Sequence, residues 1–321
     1  SEVVLTETEM HSRVTDHYRT DDIDLLRDRY HAAPIDFLQL DPGSLGARVN
    51  AIATPKLELR EARFDSGILN IIERPIDRFG IALGVSGNPQ LFGTPLTNSN
   101  LAYINGRNGV FARLPAGGEW LNLTMDQAWL REVAAVHDYA IPSGDNSIGL
   151  PTTQRNALIF KLRRIALQKE CTTFSDEQLE DALALLLLRE LNALDTCPNT
   201  LNPGSCWAVV HEVVDYIHAN YAEPMTLTKL CQLANVSERT LRYHFLKTTG
   251  LNPQQYLSKY RLHRAYALLA ENRVAQVADA ARACGIPHTG RFSQYFKAMF
   301  GESPSQVLRQ PKKAYREPQA F

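Results

Sequence analysis

The sequence predicts an α+β protein of two domains. A strand-rich N-terminal body, a small antiparallel barrel or sandwich with flanking helices, precedes an all-α C-terminal domain of two helix-turn-helix units. Three observations carry this. The stretch LRYHFLKTTGLNPQQYL (Leu241–Leu257) recurs as FSQYFKAMFGESPSQVL (Phe292–Leu308), 51 positions further on, so that Phe245 falls on Phe296, Gly250 on Gly301 and Pro253 on Pro304. Residues 47–124 break into short alternating runs separated by Gly, Pro and Asn, the texture of strands and tight turns. The net charge of −1 hides an asymmetry: Ser205–Phe321 carries 15 Lys and Arg against 8 Asp and Glu, whereas the remainder carries 19 against 27. A basic third joined to an acidic body fits a nucleic-acid-binding module on a regulatory domain.

Length and composition bound the alternatives. The 321 residues suffice for two ordinary domains, and 44% hydrophobic with 21% charged residues is a globular balance. The longest apolar stretch, Ala182–Leu188, is too short to span a bilayer, and no membrane partner is expected. The opening SEVVLTETEMHSR lacks the basic-then-apolar order of a signal peptide. Five cysteines (171, 197, 206, 231 and 284) form no CxxC pair, which predicts neither a disulfide framework nor a zinc site and points to a reducing cytoplasm. Cys231 and Cys284 fall in helical patterns where a small buried residue is wanted.

Along the chain, residues 1–45 read as partly helical, with Thr20-Asp21-Asp22 capping a helix through Ile23, Leu26 and Tyr30. Strands follow at 57–60, 67–73, 79–85, 101–104, 110–114 and 120–124, punctuated by Ser86-Gly87-Asn88-Pro89 and Asn105-Gly106. Helices return at 126–136 and 152–169. Ser175 and Gln178 form a capping box that opens a third. Its stripe of Leu179, Leu183, Leu186, Leu187 and Leu191 serves equally for packing on its own domain or for a dimer seam. The turn-rich segment Cys197–Ser205 reads as the linker. The chain therefore divides into residues 1–200, 205–310 and a basic tail, 311–321.

In the first C-terminal unit, Leu227, Leu230 and Leu233 form the inner stripe of a supporting helix. Asn235-Val236-Ser237 makes the turn and Ser237 suits an N-cap. Leu241 and Phe245 anchor the next helix inward, leaving Glu238, Arg239, Arg242, Tyr243 and Lys247 for the outside. Arginine reads guanine bidentately, and Lys247 near the helix end suits phosphate. In the second unit Phe292 and Phe296 are the anchors. Thr289, Gly290, Arg291 and Gln294 face outward, His288 and Lys297 suit phosphate, and Gly285 fits a turn with positive φ. The helix between the units, about 253–271, spans roughly 25–30 Å and can set the two readers about one DNA turn apart.

Residues 207–309 resemble the AraC/XylS family of transcription regulators. The resemblance is carried by Leu227–Leu257, by Arg261-Leu262-His263-Arg264-Ala265 in the connecting helix, and by Ala281, Gly285, Phe292, Phe296, Lys297, Gly301 and Pro304 in register. It implies a cytoplasmic, DNA-binding, commonly activating regulator that binds double-stranded DNA and works with RNA polymerase, usually as a homodimer. It also implies an N-terminal cupin-like barrel for effector sensing and dimerisation. No cofactor or metal is expected, since all nine histidines lie outside 46–124.

Arginines mark the candidate effector site. If the leucine face of 57–63 points inward, Arg63 goes with it and needs a partner such as Glu61 or an anion. Arg60, Arg63, Arg74 and Arg78 are the candidates. Arg74-Pro-Ile-Asp-Arg78 has the RxxxR spacing of PilZ-type receptors of cyclic dinucleotides. Surface arginines paired with Asp77, Glu61 or Glu73, an uncharged effector, or no effector are the competing readings. An alkyl-accepting repair enzyme joined to the same module is the alternative function. It would need an activated N-terminal cysteine, yet the first is Cys171. A purely architectural DNA-bending protein would not need the large strand-rich body.

Overall fold

The structure is a computed structural model and describes residues 13–72, 77–105, 109–144, 146–167, 174–193, 198–199, 205–286 and 289–310. The N-terminal domain runs β1 (Val14–Thr20), α1 (Ile23–Asp28), β2 (Asp36–Gln39), β3 (Ala47–Ala53), β4 (Leu57–Arg63), β5 (Ile68–Ile72), β6 (Arg78–Ser86), β7 (Gln90–Leu91), β8 (Thr94–Pro95), β9 (Asn100–Ile104), β10 (Val110–Leu114) and β11 (Glu119–Asp126). Then come α2 (Gln127–Val136), β12 (Asn146–Gly149), α3 (Thr152–Leu162), α4 (Asp176–Asn192) and β13 (Pro198–Asn199). The C-terminal domain is α5 (Ser205–Asn220), α6 (Leu227–Leu233), α7 (Glu238–Thr249), α8 (Pro253–Ala270), α9 (Val277–Ala283), α10 (Thr289–Phe300) and α11 (Pro304–Arg309).

Among the described residues the strands pair into two antiparallel sheets rather than one closed ring. The larger has the order β1-β3-β4-β11-β6-β9-β12-β13 and the smaller β2-β5-β10-β7-β8. The larger sheet is covered on both sides, so β6 and β11 each bury six consecutive residues instead of alternating. One face, with Leu57, Leu59, Phe79, Leu121 and Leu123, packs under α2, α3 and α4. The other face is built of small residues, Ala51, Ala62, Ala82 and Ala102, and packs in one core with Phe37, Ile71 and Phe111 of the smaller sheet. That core continues into the C-terminal domain. Trp207 of α5 sits 5.1 Å, ring to ring, from both Phe92 and Phe111. The layers are thus helices, large sheet, small sheet and C-terminal domain.

Capping chemistry sets the helix starts. Asp22 accepts from Asp24 N, Asp126 from Trp129 N, and Ser175 forms the expected capping box with Gln178. The leucine stripe of α4 is buried in its own domain against the large sheet, which decides the intramolecular reading of that face. The segment beyond α3 widens into a π-helical turn, Arg163–Leu167, from which Arg163 reaches Glu61 and Glu119.

Three expectations need correction. The described part of residues 1–45 holds the expected helix capped by Asp22, but α1 ends at Asp28 short of Tyr30 and is flanked by two unexpected strands, β1 and β2. β1 is polar and edge-lying, held by its backbone register with β3, which carries no hydrophobic signal. Arg63 does not go inward with the leucines: it ends β4, 46% exposed at its side chain, while Glu61 pairs with Arg163. The buried arginine is Arg60 on the opposite face, since a sheet covered on both sides buries both sets of alternate residues. The turn-rich linker begins with β13, which extends the sheet edge beside β12. The basic tail, 311–321, lies outside the described residues.

Candidate DNA-reading interface

Each reader helix is fixed by a pair of buried apolar anchors four residues apart, and the first also has a capped start. Thr226 caps α6. Asn235 takes φ 48° in the turn, and Ser237 Oγ accepts from Thr240 N at 3.1 Å to open α7. Leu241 and Phe245 are fully buried and fix the inner face. Arg239, Arg242, Tyr243 and Lys247 are exposed, as expected. Arg242 rests in an i,i+4 pair with Glu238 at 2.8 Å, a bond that a guanine or phosphate would have to replace. Gly250 ends α7 with φ 76°.

The second unit repeats the plan. Gly285 takes φ +65°, and a Cβ there would stand 2.2 Å from the Ala222 carbonyl oxygen, so only glycine fits. Phe292 and Phe296 are buried, with ring centroids 5.5 Å apart, and Tyr266 of α8 stacks on Phe296 at 5.8 Å. Gly290, Arg291, Gln294 and Lys297 are exposed. Thr289 opens α10, and His288 lies outside the described residues. Sequence reasoning missed Tyr295 and Leu246, exposed at 57% and 61% on the same outer faces. The spacing of Tyr295, four residues after Arg291, was the available signal.

Between the units, α8 opens with an Asn252/Gln255 capping box and a proline in its first turn. Its 18 residues correspond to about 27 Å of helix. It packs against α7 on one side and α9 and α11 on the other, so one rod carries both readers. The N-terminal domain touches the C-terminal ends of both. Gly93 lies against the backbone of Lys247 and Thr248, and Gly43 N donates to Met299 O at 3.1 Å.

A profile of the family described as "Helix-turn-helix domain" matches residues 230–310. The C-terminal domain is a helix-turn-helix domain of the AraC/XylS type. This AraC/XylS-type domain is similar to the XylDLEGF operon transcriptional activator 3 of Pseudomonas putida, 34% identical over 109 residues, 33% of either chain. The chain is also similar to the HTH-type transcriptional activator RhaR of Escherichia coli K12, 30% identical over 176 residues, 52% of this chain and 61% of that one. The chain thus spans between a third and three fifths of these relatives' lengths. Among solved structures, a probable AraC family transcriptional regulator from Rhodopseudomonas palustris CGA009 is 34% identical, over 32% of this chain and 95% of that one, with a TM-score of 0.31.

The four arginines expected to bind an effector do not form one cluster. Arg60 is 3% exposed. It donates to Glu58 at 2.7 Å and to Tyr18 Oη and Arg29 O, and it lies over the Tyr30 ring. Arg63 lies on the opposite face. Arg78 shares Arg60's face and donates to the Lys56 carbonyl. Arg74 lies outside the described residues. No group of three or more potential metal ligands occurs among the described residues.

Proposed function

We propose that the chain is a sequence-specific transcription regulator, an activator, that reads two adjacent major-groove segments of double-stranded DNA with α7 and α10. One observation carries this reading: two reader helices share one rod, their apolar anchors buried and their Arg, Gln and Tyr faces open to solvent. The basic balance of the same third supplies phosphate attraction. RNA polymerase contact, homodimerisation and action in the cytoplasm belong to the proposal. Exposed Val136 on α2 and Phe160 on α3 offer apolar contact surface for a second copy. The repair-enzyme alternative finds little in the described thiols, which burial raises at Cys206, Cys231 and Cys284, the last to about 11.

Control by a small effector completes the proposal. An anionic effector such as a cyclic dinucleotide held by Arg60, Arg63, Arg74 and Arg78 gains no support from the geometry, because Arg60 is neutralised by Glu58 and Arg63 faces away from it. The test is fluorescence anisotropy on the DNA upstream of its own gene and on scrambled DNA, at one stated salt concentration. Specific binding should exceed non-specific binding by about 10³-fold or more. Equal affinity for both would overturn the reading.

A further inference from the structure

A cavity of about 340 Å³ lies between the two domains. That is the small end of ligand pockets. Its N-terminal wall comes from α1, β2 and the turn at 43–45. Its C-terminal wall comes from Tyr260, His263, Arg264 and Ala267 of α8, with Phe300 and Glu302 at the end of α10. A molecule in it would touch the N-terminal domain, the rod joining the readers, and the second reader's end at once.

The chemistry of the walls selects the occupant. Five carboxylates line the cavity, Asp21, Asp22, Asp24, Asp36 and Glu302, against two guanidinium groups, Arg27 and Arg264. Arg27 is already engaged by Asp24 at 2.7 Å and Asp36 at 3.2 Å. Asp21 is held ionised by the Ser44 hydroxyl and the Gly46 N–H. His263 adds no charge, since burial pushes its pKa to about 3. A shallower cleft shares Asp36, Tyr260 and Arg264 and adds Asp215. The excess negative charge sits over an apolar and aromatic floor of Phe37, Leu38, Leu45, Tyr266 and Phe300. Carboxylates attract a cation, aromatic faces stabilise it, and the apolar floor accepts its carbon body. Two phosphates would be repelled.

From this juxtaposition we infer that the interdomain cleft is the effector site and takes a small organic cation with an aromatic or apolar body, an amine-class ligand that clamps α8 to the N-terminal domain. The coupling to DNA rests on the regulator reading above, whereas ligand binding itself does not.

The test uses the full chain and three isosteric probes: tyramine (cation), tyrosol (neutral) and 4-hydroxyphenylacetate (anion), followed by thermal shift and calorimetry. Tyramine should raise Tm saturably at millimolar concentration, and the other two should not. Asp36→Asn should weaken tyramine about tenfold, as expected for loss of a charge-assisted contact. Ala267→Leu, which fills the cavity without changing charge, should abolish the response while the chain stays folded. No tyramine response, or an equal or larger response to tyrosol or the acid, overturns the ligand class. A tyramine response unchanged in both variants overturns the location. Anisotropy on ligand-free protein is scored separately. Absent DNA binding with intact tyramine binding sinks the regulator reading and leaves the cleft assignment standing.

Discussion

Arg60 offers the sharpest contrast between a ligand-binding arginine and a structural one. Its side chain is 4% exposed and its partner Glu58 2% exposed, at 2.7 Å. Desolvation alone would lower its pKa, and the Glu58 carboxylate and Tyr18 more than offset this, so the net shift is upward. Glu58 also accepts from His31 N, so the pair ties β4 to the segment after α1. Arg60→Met leaves a buried carboxylate without its cation, which costs about 3–5 kcal/mol. At about 2–4 °C of Tm per kcal/mol for a domain of this size, the N-terminal transition should fall by roughly 6–20 °C. Glu58→Leu should cost a similar amount, because it leaves Arg60 buried without its carboxylate. The double variant Glu58→Leu with Arg60→Met should recover most of the loss, because no charge is then left buried. Scanning calorimetry on the three variants and the parent reads all four corners of the cycle. If Arg60→Met leaves Tm within a degree of the parent and instead removes the response to an anionic ligand, the structural account of Arg60 is wrong and the anion-receptor reading returns.

Other outcomes follow from single features. Arg239→Ala and Arg291→Ala should each cost about 1–3 kcal/mol of specific DNA affinity without lowering Tm, measured by anisotropy and thermal melts. Lys247→Ala should weaken all sequences alike and reduce the slope of log affinity against log salt by about 1. Gly285→Ala should destabilise the second unit by more than about 2 kcal/mol, since it adds left-handed strain to a backbone clash. Gly250→Ala should cost less in calorimetry, because the atoms its Cβ meets are the movable guanidinium of Arg113. Burial lowers the His263 pKa from 6.5 to about 3. Its contribution to stability is therefore fully present above pH 6.5 and declines as pH falls toward 3, by at most about 1.4 kcal/mol per unit. His263→Gln should flatten the pH dependence of Tm between 6.5 and 4.5, and an unchanged slope would show that His263 titrates normally.

The legible parts of the chain were those where local pattern and tertiary demand agree. Ser237, Gly285, Leu241, Phe245, Phe292 and Phe296 do in the structure what their spacing announces, because capping, positive φ and i,i+4 anchoring are local requirements. The core strands of 57–124 were readable from alternation and turn residues. β1 was not, since its place depends on backbone pairing with β3 rather than on its own hydrophobicity, and β2 was not, since its four residues offer only Phe37 and Leu38 as a signal. The arginine site failed for a related reason. Alternation says which residues share a face, but not that both faces of the large sheet are covered. That cover turned Arg60 into a buried ion-pair partner and left Arg63 at the rim. The interdomain cavity was invisible, as its walls come from α1, β2 and α8, more than 200 residues apart.

The domain contacts fall on one half of each reader helix. Gly93 lies against Lys247 and Thr248, Arg113 against Gly250, and Gly43 and Gln39 hydrogen-bond the Met299 carbonyl, all at the C-terminal ends of α7 and α10. The exposed residues proposed to read bases, Arg239, Arg242, Arg291 and Gln294, lie toward the opposite ends. An N-terminal domain that blocked DNA would cover those faces, and this one does not. It grips instead the ends that fix how each reader is angled, together with the rod between them, through the Gln39 carbonyl and His263. Two helices on one rod must meet successive grooves at a fixed separation, so a change in grip alters affinity through geometry, without steric exclusion. A ligand in the adjoining cleft that favours one grip shifts that equilibrium only by its differential affinity for the two arrangements. The expected regulatory signature is therefore a modest change in specific affinity, about 5–150-fold, with non-specific binding unaffected. Occlusion of the readers would lower both together, and titrating operator and scrambled DNA with and without ligand separates the two mechanisms.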